Sequence, residues 1–149
     1  MKRLAIPPAV FLIGVLLAGA CGRKNLPVAP ELVRPRAPAT LAASSTPEGV
    51  RLTWLRPVQY SGGQAMHDLD RFFVERAPGE REAPTFVRVA TVVLEDRFRF
   101  RKERRLDWLD HDVKPGERYL YRVIAVTRDG SRSKPAGPIA IRFEEKTAP

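Results

Sequence analysis

The run Lys114-Pro-Gly-Glu-Arg-Tyr-Leu-Tyr-Arg-Val-Ile-Ala-Val126 decides the fold. Pro115-Gly116 opens it as a turn. Beyond the turn, Tyr119, Tyr121, Val123 and Ala125 recur with the period of two that places alternate side chains on one face of a strand. Leu120, Ile124 and Val126 fall on the other face. Apolar residues on both faces describe a central strand covered on at least one side. Asp129-Gly130 follows as a hairpin turn signal.

Outward from this strand, the chain after Pro38 consists of short alternating runs broken by turn residues, the pattern of a β-sandwich. Strands are expected over Thr40 to Ser45, Val50 to Trp54, Leu69 to Arg76, Phe86 to Val93, Leu106 to Leu109, the Tyr119 run, and Pro138 to Phe143. In Val50-Arg-Leu-Thr-Trp54 the apolar residues point inward, with Arg51 and Thr53 outward. Pro47-Glu48-Gly49 is a turn, and Leu55 to Asp68 is a long loop carrying Ser61-Gly62-Gly63.

The bulk numbers agree with one domain plus extensions. The chain has 149 residues, 44% apolar and 29% charged, which is a globular balance. Its formal charge is +9. Such a charge raises nucleic acid as a partner, but the first twenty residues exclude that reading. Met1-Lys2-Arg3, an apolar run from Leu4 to Leu17 and the small residues Ala18-Gly19-Ala20 make a secretory signal peptide over residues 1–20. The run is shorter than the roughly 20 residues a membrane span needs, and Pro7-Pro8 interrupts it. Removal of this segment takes Lys2 and Arg3 with it and leaves about +7.

Cys21 is the only cysteine, so it has no partner for a structural disulfide. Leu17-Ala-Gly-Ala-Cys21 resembles a bacterial lipobox, with Ala18 where leucine is most frequent. The resemblance implies cleavage after Ala20 and acylation of Cys21, and more than one acyl chain is what stable anchoring requires. Ordinary cleavage after Ala20, leaving an unmodified cysteine, is the alternative. Gly22 rather than aspartate follows the cysteine, which by the same resemblance favours the outer membrane. Prolines at 27, 30 and 35 make residues 21–37 an extended, solvated tether, with a reach on the order of 50 Å at about 3.1 Å per residue. Cys21-Gly22-Arg23-Lys24, followed by Leu26-Pro27, also resembles the start of small envelope lipoproteins, some of which assist outer-membrane assembly.

Residues 38–143 resemble a fibronectin type III domain, and 144–149 form a tail. The resemblance rests on the opening Pro38, Val50-x-Leu-x-Trp54, the Gly62-Gly63 loop and Phe72-Phe-Val74. It continues in Val113-x-Pro-Gly-x-x-Tyr119-x-Tyr-x-Val-x-Ala125 and Ser133-x-Pro135. It implies an all-β, seven-stranded immunoglobulin-like sandwich with Trp54 in its core. It also implies a tyrosine corner, in which the Tyr119 hydroxyl bonds back to upstream backbone. About function such a sandwich is nearly silent.

Catalysis needs a nucleophile and base within reach, or a metal with open coordination. His67 and His111 are the only histidines, and Asp110-His111-Asp112 alternates in extended chain. Two carboxylates fall short of the six to eight oxygens calcium takes. No catalytic residue, metal or cofactor is expected.

Two binding surfaces are. With Phe72 and Val74 inward, Phe73 joins Leu120, Arg122 and Ile124 on the outer face of one sheet, either as a partner face or covered by the Phe86 strand or the tether. The run Arg97, Arg99, Arg101, Arg104 and Arg105 is either a site for an anionic glycolipid or polysaccharide, or a solvated edge whose charge opposes aggregation. The expected object is therefore a lipid-anchored cell-envelope protein, facing the periplasm or the surface. Its membrane partner is reached through N-terminal acyl chains. Its sandwich serves as a non-catalytic interaction or scaffold domain for an envelope protein. Binding of an anionic glycolipid and a role in outer-membrane assembly are the alternatives.

Overall fold

In the computed structural model, residues 27, 29–79, 82–95, 102 and 104–144 are described. They form seven strands: β1 (Ala39–Thr46), β2 (Gly49–Leu55), β3 (Leu69–Pro78), β4 (Val87–Val93), β5 (Arg105–Asp110), β6 (Arg118–Thr127) and β7 (Ala136–Arg142). All neighbours pair antiparallel, in a three-stranded sheet β1-β2-β5 and a four-stranded sheet β4-β3-β6-β7. This is the β-sandwich that the alternation implies, with the seven strands that the resemblance implies.

The core lies between the sheets and follows the period of two. Val50, Leu52 and Trp54 of β2 are essentially inaccessible, whereas Arg51 and Thr53 are half-buried on the outer side. Tyr119, Tyr121, Val123 and Ala125 of β6 meet Phe72 and Val74 of β3 in the same cluster. Trp54 meets the Phe72 ring edge-on, with centroids 5.6 Å apart. Burying each such side chain contributes about 1.5–3 kcal/mol, and in a fold without a disulfide this is the main cohesive force. The Tyr119 hydroxyl accepts the Lys114 N–H at 3.0 Å and donates to Glu117 Oε2 at 2.8 Å, closing the expected tyrosine corner.

The sandwich has two unlike ends. At one, called the loop end, β2 runs into the 56–68 loop, β1 begins opposite Leu55, β5 begins at Arg105, and β6 turns into β7. At the far end, Gly49 packs against Asp110, β3 finishes at Pro78 opposite Tyr119, and Arg142 lies opposite Arg118. Gly49 has φ +142, and a Cβ there would sit 2.0 Å from the Asp110 carbonyl oxygen, so only glycine fits this turn.

The expected tether is shorter than its prolines suggest. Ala29 to Arg36 does not run free but folds onto the 59–62 loop. The Arg36 N–H donates to Gln59 O, the Ser61 N–H to Arg34 O, and the Gly62 N–H to Leu32 O, at 2.8–3.1 Å. Pro35 sits opposite Tyr60, where its lack of an N–H costs nothing, since Arg34 and Arg36 carry the bonds on either side. The expected signal segment, Cys21 and residues 145–149 lie outside the described residues. Among the described residues no helix is long and apolar enough to cross a membrane.

Candidate functional site

The register places Phe73, Leu120, Arg122 and Ile124 on the outer face of the four-stranded sheet, Phe73 directly opposite Ile124. Of the two readings, a partner face or one covered from the Phe86 strand, the surroundings contain elements of both. Phe73 and Ile124 are each only 8% exposed and form a small cluster with Val126. The cover is guanidinium rather than hydrocarbon. Arg88, from β4, lies 3.4 Å above the centroid of the Phe73 ring, and Arg132, after the β6–β7 turn, lies 5.2 Å from it. Arg122 stacks 4.2 Å from the Phe86 ring, and its Nε is 2.6 Å from Glu75 Oε2. A cation over an aromatic face gains about 0.5–2 kcal/mol, so the guanidinium planes shield the ring faces from water while their edges remain accessible. Arg88 and Arg132 are exposed and Leu120 is half-buried. The face therefore offers arginine heads over an apolar floor.

The loop end carries the second candidate. Arg97, Arg99 and Arg101 lie outside the described residues. Arg104 and Arg105 are exposed at the start of β5. Arg104 shares a cleft of about 190 Å³ with Arg36, Arg56 and Val58. Arg56 is nearly buried, and burial followed by the neighbouring Arg104 lowers its pKa. Three aspartates of this end are engaged by neighbouring groups. Asp68 accepts the Tyr60 hydroxyl at 2.5 Å, Asp70 lies 2.6 Å from Arg71 Nε, and Asp129 accepts from Thr127 and from the Ser131 N–H.

Asp110, His111 and Asp112 split as an extended chain requires, and their roles are structural. Asp110, 3% exposed, accepts the Tyr121 hydroxyl and Arg76 Nη1, each at 2.8 Å, and its other oxygen accepts the Asp112 N–H. Arg76 also reaches Asp112 and stacks over the Tyr119 ring at 5.2 Å. Burial first, then the bond to Asp110, holds the Tyr121 phenol far above its ordinary pKa. Burial works against the Arg76 charge, but Asp110 and Asp112 outweigh it and raise its pKa. No group of three or more potential metal ligands occurs among the described residues.

Arg88, Arg132 and the Arg76–Asp110 pair escaped the sequence reading. Pairing the Phe86 strand beside Phe73 in an antiparallel hairpin would have brought Arg88 opposite Glu75, as observed. For the docked 29–36 segment the signal was Gly62, where a Cβ would lie 3.0 Å from the Leu32 carbonyl oxygen.

The fold is widely shared, with 191 chains of solved structures matching it. The kinase region of twitchin from C. elegans matches with TM-score 0.53 at 18% identity, over 74% of this chain and 17% of that one. A multi-domain piece of titin gives 0.53 at 24% identity, over 75% of this chain and 33% of that one. This chain thus spans a minor part of both. A human fourth FNIII domain gives 0.51 at 15% identity, over 88% of this chain and 92% of that domain. No family model matches the sequence, and no curated protein is significantly similar to it. At these identities the likeness shows the fold alone: an all-β, seven-stranded sandwich of fibronectin type III, immunoglobulin-like topology.

Proposed function

We propose that the chain is an exported, lipid-anchored envelope protein whose sandwich is a non-catalytic protein-interaction module. The observation that carries the module reading is the outer face of the four-stranded sheet, where Arg88 and Arg132 stand over buried Phe73 and Ile124 beside half-buried Leu120. Arginine over a dry aromatic floor is the composition of interface hot spots, because the guanidinium is pre-ordered by stacking and keeps its in-plane donors for a partner. The fitting partner is an envelope protein presenting carboxylates around an apolar anchor. The export and anchoring part is supported by the apolar run before Ala20 and by Cys21 as the only cysteine. Gly22 after the cysteine favours the outer membrane.

The test is photo-crosslinking in the native cell, with the reactive residue at Leu120 and, separately, at Arg104. A discrete protein adduct at Leu120 that disappears in Arg88→Glu supports the module. Adducts at Arg104 alone, with Leu120 silent, overturn it. Metabolic labelling with a fatty acid, lost in Cys21→Ser, tests the anchor independently.

A further inference from the structure

The loop end brings exposed aliphatic side chains and exposed cations together. Of the five large hydrophobic residues exposed among the described residues, Leu32, Val33, Val58 and Val93 are at this end, at 42%, 43%, 37% and 64% exposure, and Val87 is toward the other. Val58 lies in the cleft with Arg36 and Arg104, and the segment carrying Leu32, Val33 and Arg34 is bonded to the same loop. Exposed cations are therefore interleaved with exposed aliphatics. Of the competing acids, Asp68, Asp70 and Asp129 are engaged by Tyr60, Arg71, Thr127 and Ser131, while Glu31 and Glu95 are exposed. At the far end the exposed charges are mixed: Glu48, Asp112 and Glu117 stand among Lys114, Arg118 and Arg142.

The geometry of the chain adds a direction. The folded unit begins at Ala29, at the loop end. Between Cys21 and Ala29 the backbone spans at most about 25 Å at roughly 3.1 Å per residue. A domain about as long as its strands cannot lie far from its anchor on such a lead. The loop end is the part nearest to it.

We propose that the loop end docks on the surface of an anionic phospholipid bilayer, Leu32, Val33 and Val58 entering the headgroup boundary while Arg34, Arg36 and Arg104 pair with phosphates. Interfacial binding draws on buried apolar area together with attraction to anionic lipid, and this end supplies both. Arginine suits the role because its planar fork donates to two phosphate oxygens at once and its stem tolerates an apolar surround. The inference deepens the anchored-module reading and rests on it for the domain's place beside a bilayer. It leaves the arginine-roofed sheet face pointing sideways, open to a protein partner.

The experiment uses the acylated full-length product on vesicles of phosphatidylcholine alone and of phosphatidylcholine with phosphatidylglycerol. An environment-sensitive fluorescent amino acid replaces Val58 or, as the opposite-end control, Val87, and a headgroup-borne quencher reports contact. On anionic vesicles the Val58 probe is expected to be quenched severalfold more than the Val87 probe. The difference should be lost in high salt and in the Arg34→Glu/Arg36→Glu/Arg104→Glu variant, whose altered side chains are exposed and outside the core. Co-flotation with equal quenching at both positions overturns the docking and leaves the anchor standing. Failure to float with either vesicle overturns both.

Discussion

Replacing Arg76 by methionine keeps much of the apolar stem of the side chain and removes its charge, leaving the Asp110 carboxylate with the Tyr121 hydroxyl and the Asp112 N–H but no cation. Side-chain exposure is 4% at Asp110 and 19% at Arg76, so water cannot take the place of the guanidinium. Removing one partner of a buried pair typically costs about 3–5 kcal/mol, and the stacking on Tyr119 adds about 0.5–1 kcal/mol. Against a total of about 5–15 kcal/mol for a domain, this is a large fraction. The pair Arg51–Asp107 is as close, 3.0 Å, but its side chains are 42% and 58% exposed, so Arg51→Met should cost under about 1 kcal/mol. Asp110→Asn should fall between, about 1–2 kcal/mol, because Arg76 keeps Asp112 and solvent and Tyr121 keeps an acceptor. Urea unfolding of the three variants, with slopes checked for two-state behaviour, measures the order. If Arg76→Met and Arg51→Met cost the same, burial is not what gives the first pair its weight, and the reasoning fails.

The sheet face predicts a second contrast: Phe73→Ser should lose about 3 kcal/mol because its ring is buried under Arg88 and Arg132, whereas Leu120→Ser should stay near wild type and lose partner binding. Equal thermal midpoints for these two would show the guanidinium cover to be absent in solution. At alkaline pH the two phenols Tyr60 and Tyr121 act together. Burial and the bond to Asp68 push Tyr60 up to about 12, and Tyr121 lies higher still. An acid whose pKa is raised by folding stabilises the fold below its unfolded value and loses that contribution as the pH climbs through the folded one. Stability should therefore be flat below about pH 10 and fall from there through about pH 12. Tyr60→Phe should make the fall shallower, and an unchanged slope of the melting temperature against pH would contradict the assignment. Gly49→Ala should destabilise by at least about 2 kcal/mol, since the new methyl meets a backbone carbonyl that cannot move aside; a near-neutral result in the same urea assay would mean the turn relaxes.

Strand alternation made the fold legible before any coordinates. Val50-x-Leu-x-Trp54 and the Tyr119 run each carry a period of two against a buried face, and a one-residue slip would have exposed every core residue, so the register had little freedom. Strand ends were less legible. β3 continues to Pro78 and β5 to Asp110 because partners on β6 and β2, distant in sequence, extend the ladders. The face around Phe73 was half legible: alternation located it, but exposure depended on Arg88 and Arg132, whose guanidinium groups lie over the ring in a way that no hydrophobic period records. The prolines at 27, 30 and 35 correctly excluded a helix, yet Pro35 sits in a bridge, because a proline is harmless where its neighbours make the hydrogen bonds. Asp110 was weighed as a metal ligand because its cation, Arg76, lies 34 positions away on the other sheet.

The opposed positions of the first and last strands have a mechanical consequence. β1 and β7 run side by side in the same direction, with Ser45 Oγ 3.3 Å from Arg142 O, so the chain enters at the loop end and leaves at the far one. A pull between Ala29 and Glu144 acts along the strands. The β1–β2 and β6–β7 ladders are then sheared with many bonds loaded at once, rather than opened one bond at a time. Ahead of them stand the three bonds between the 32–36 segment and the 59–62 loop. These break first and release a few residues of slack before the sandwich itself carries load, a short shock absorber where the chain enters the domain.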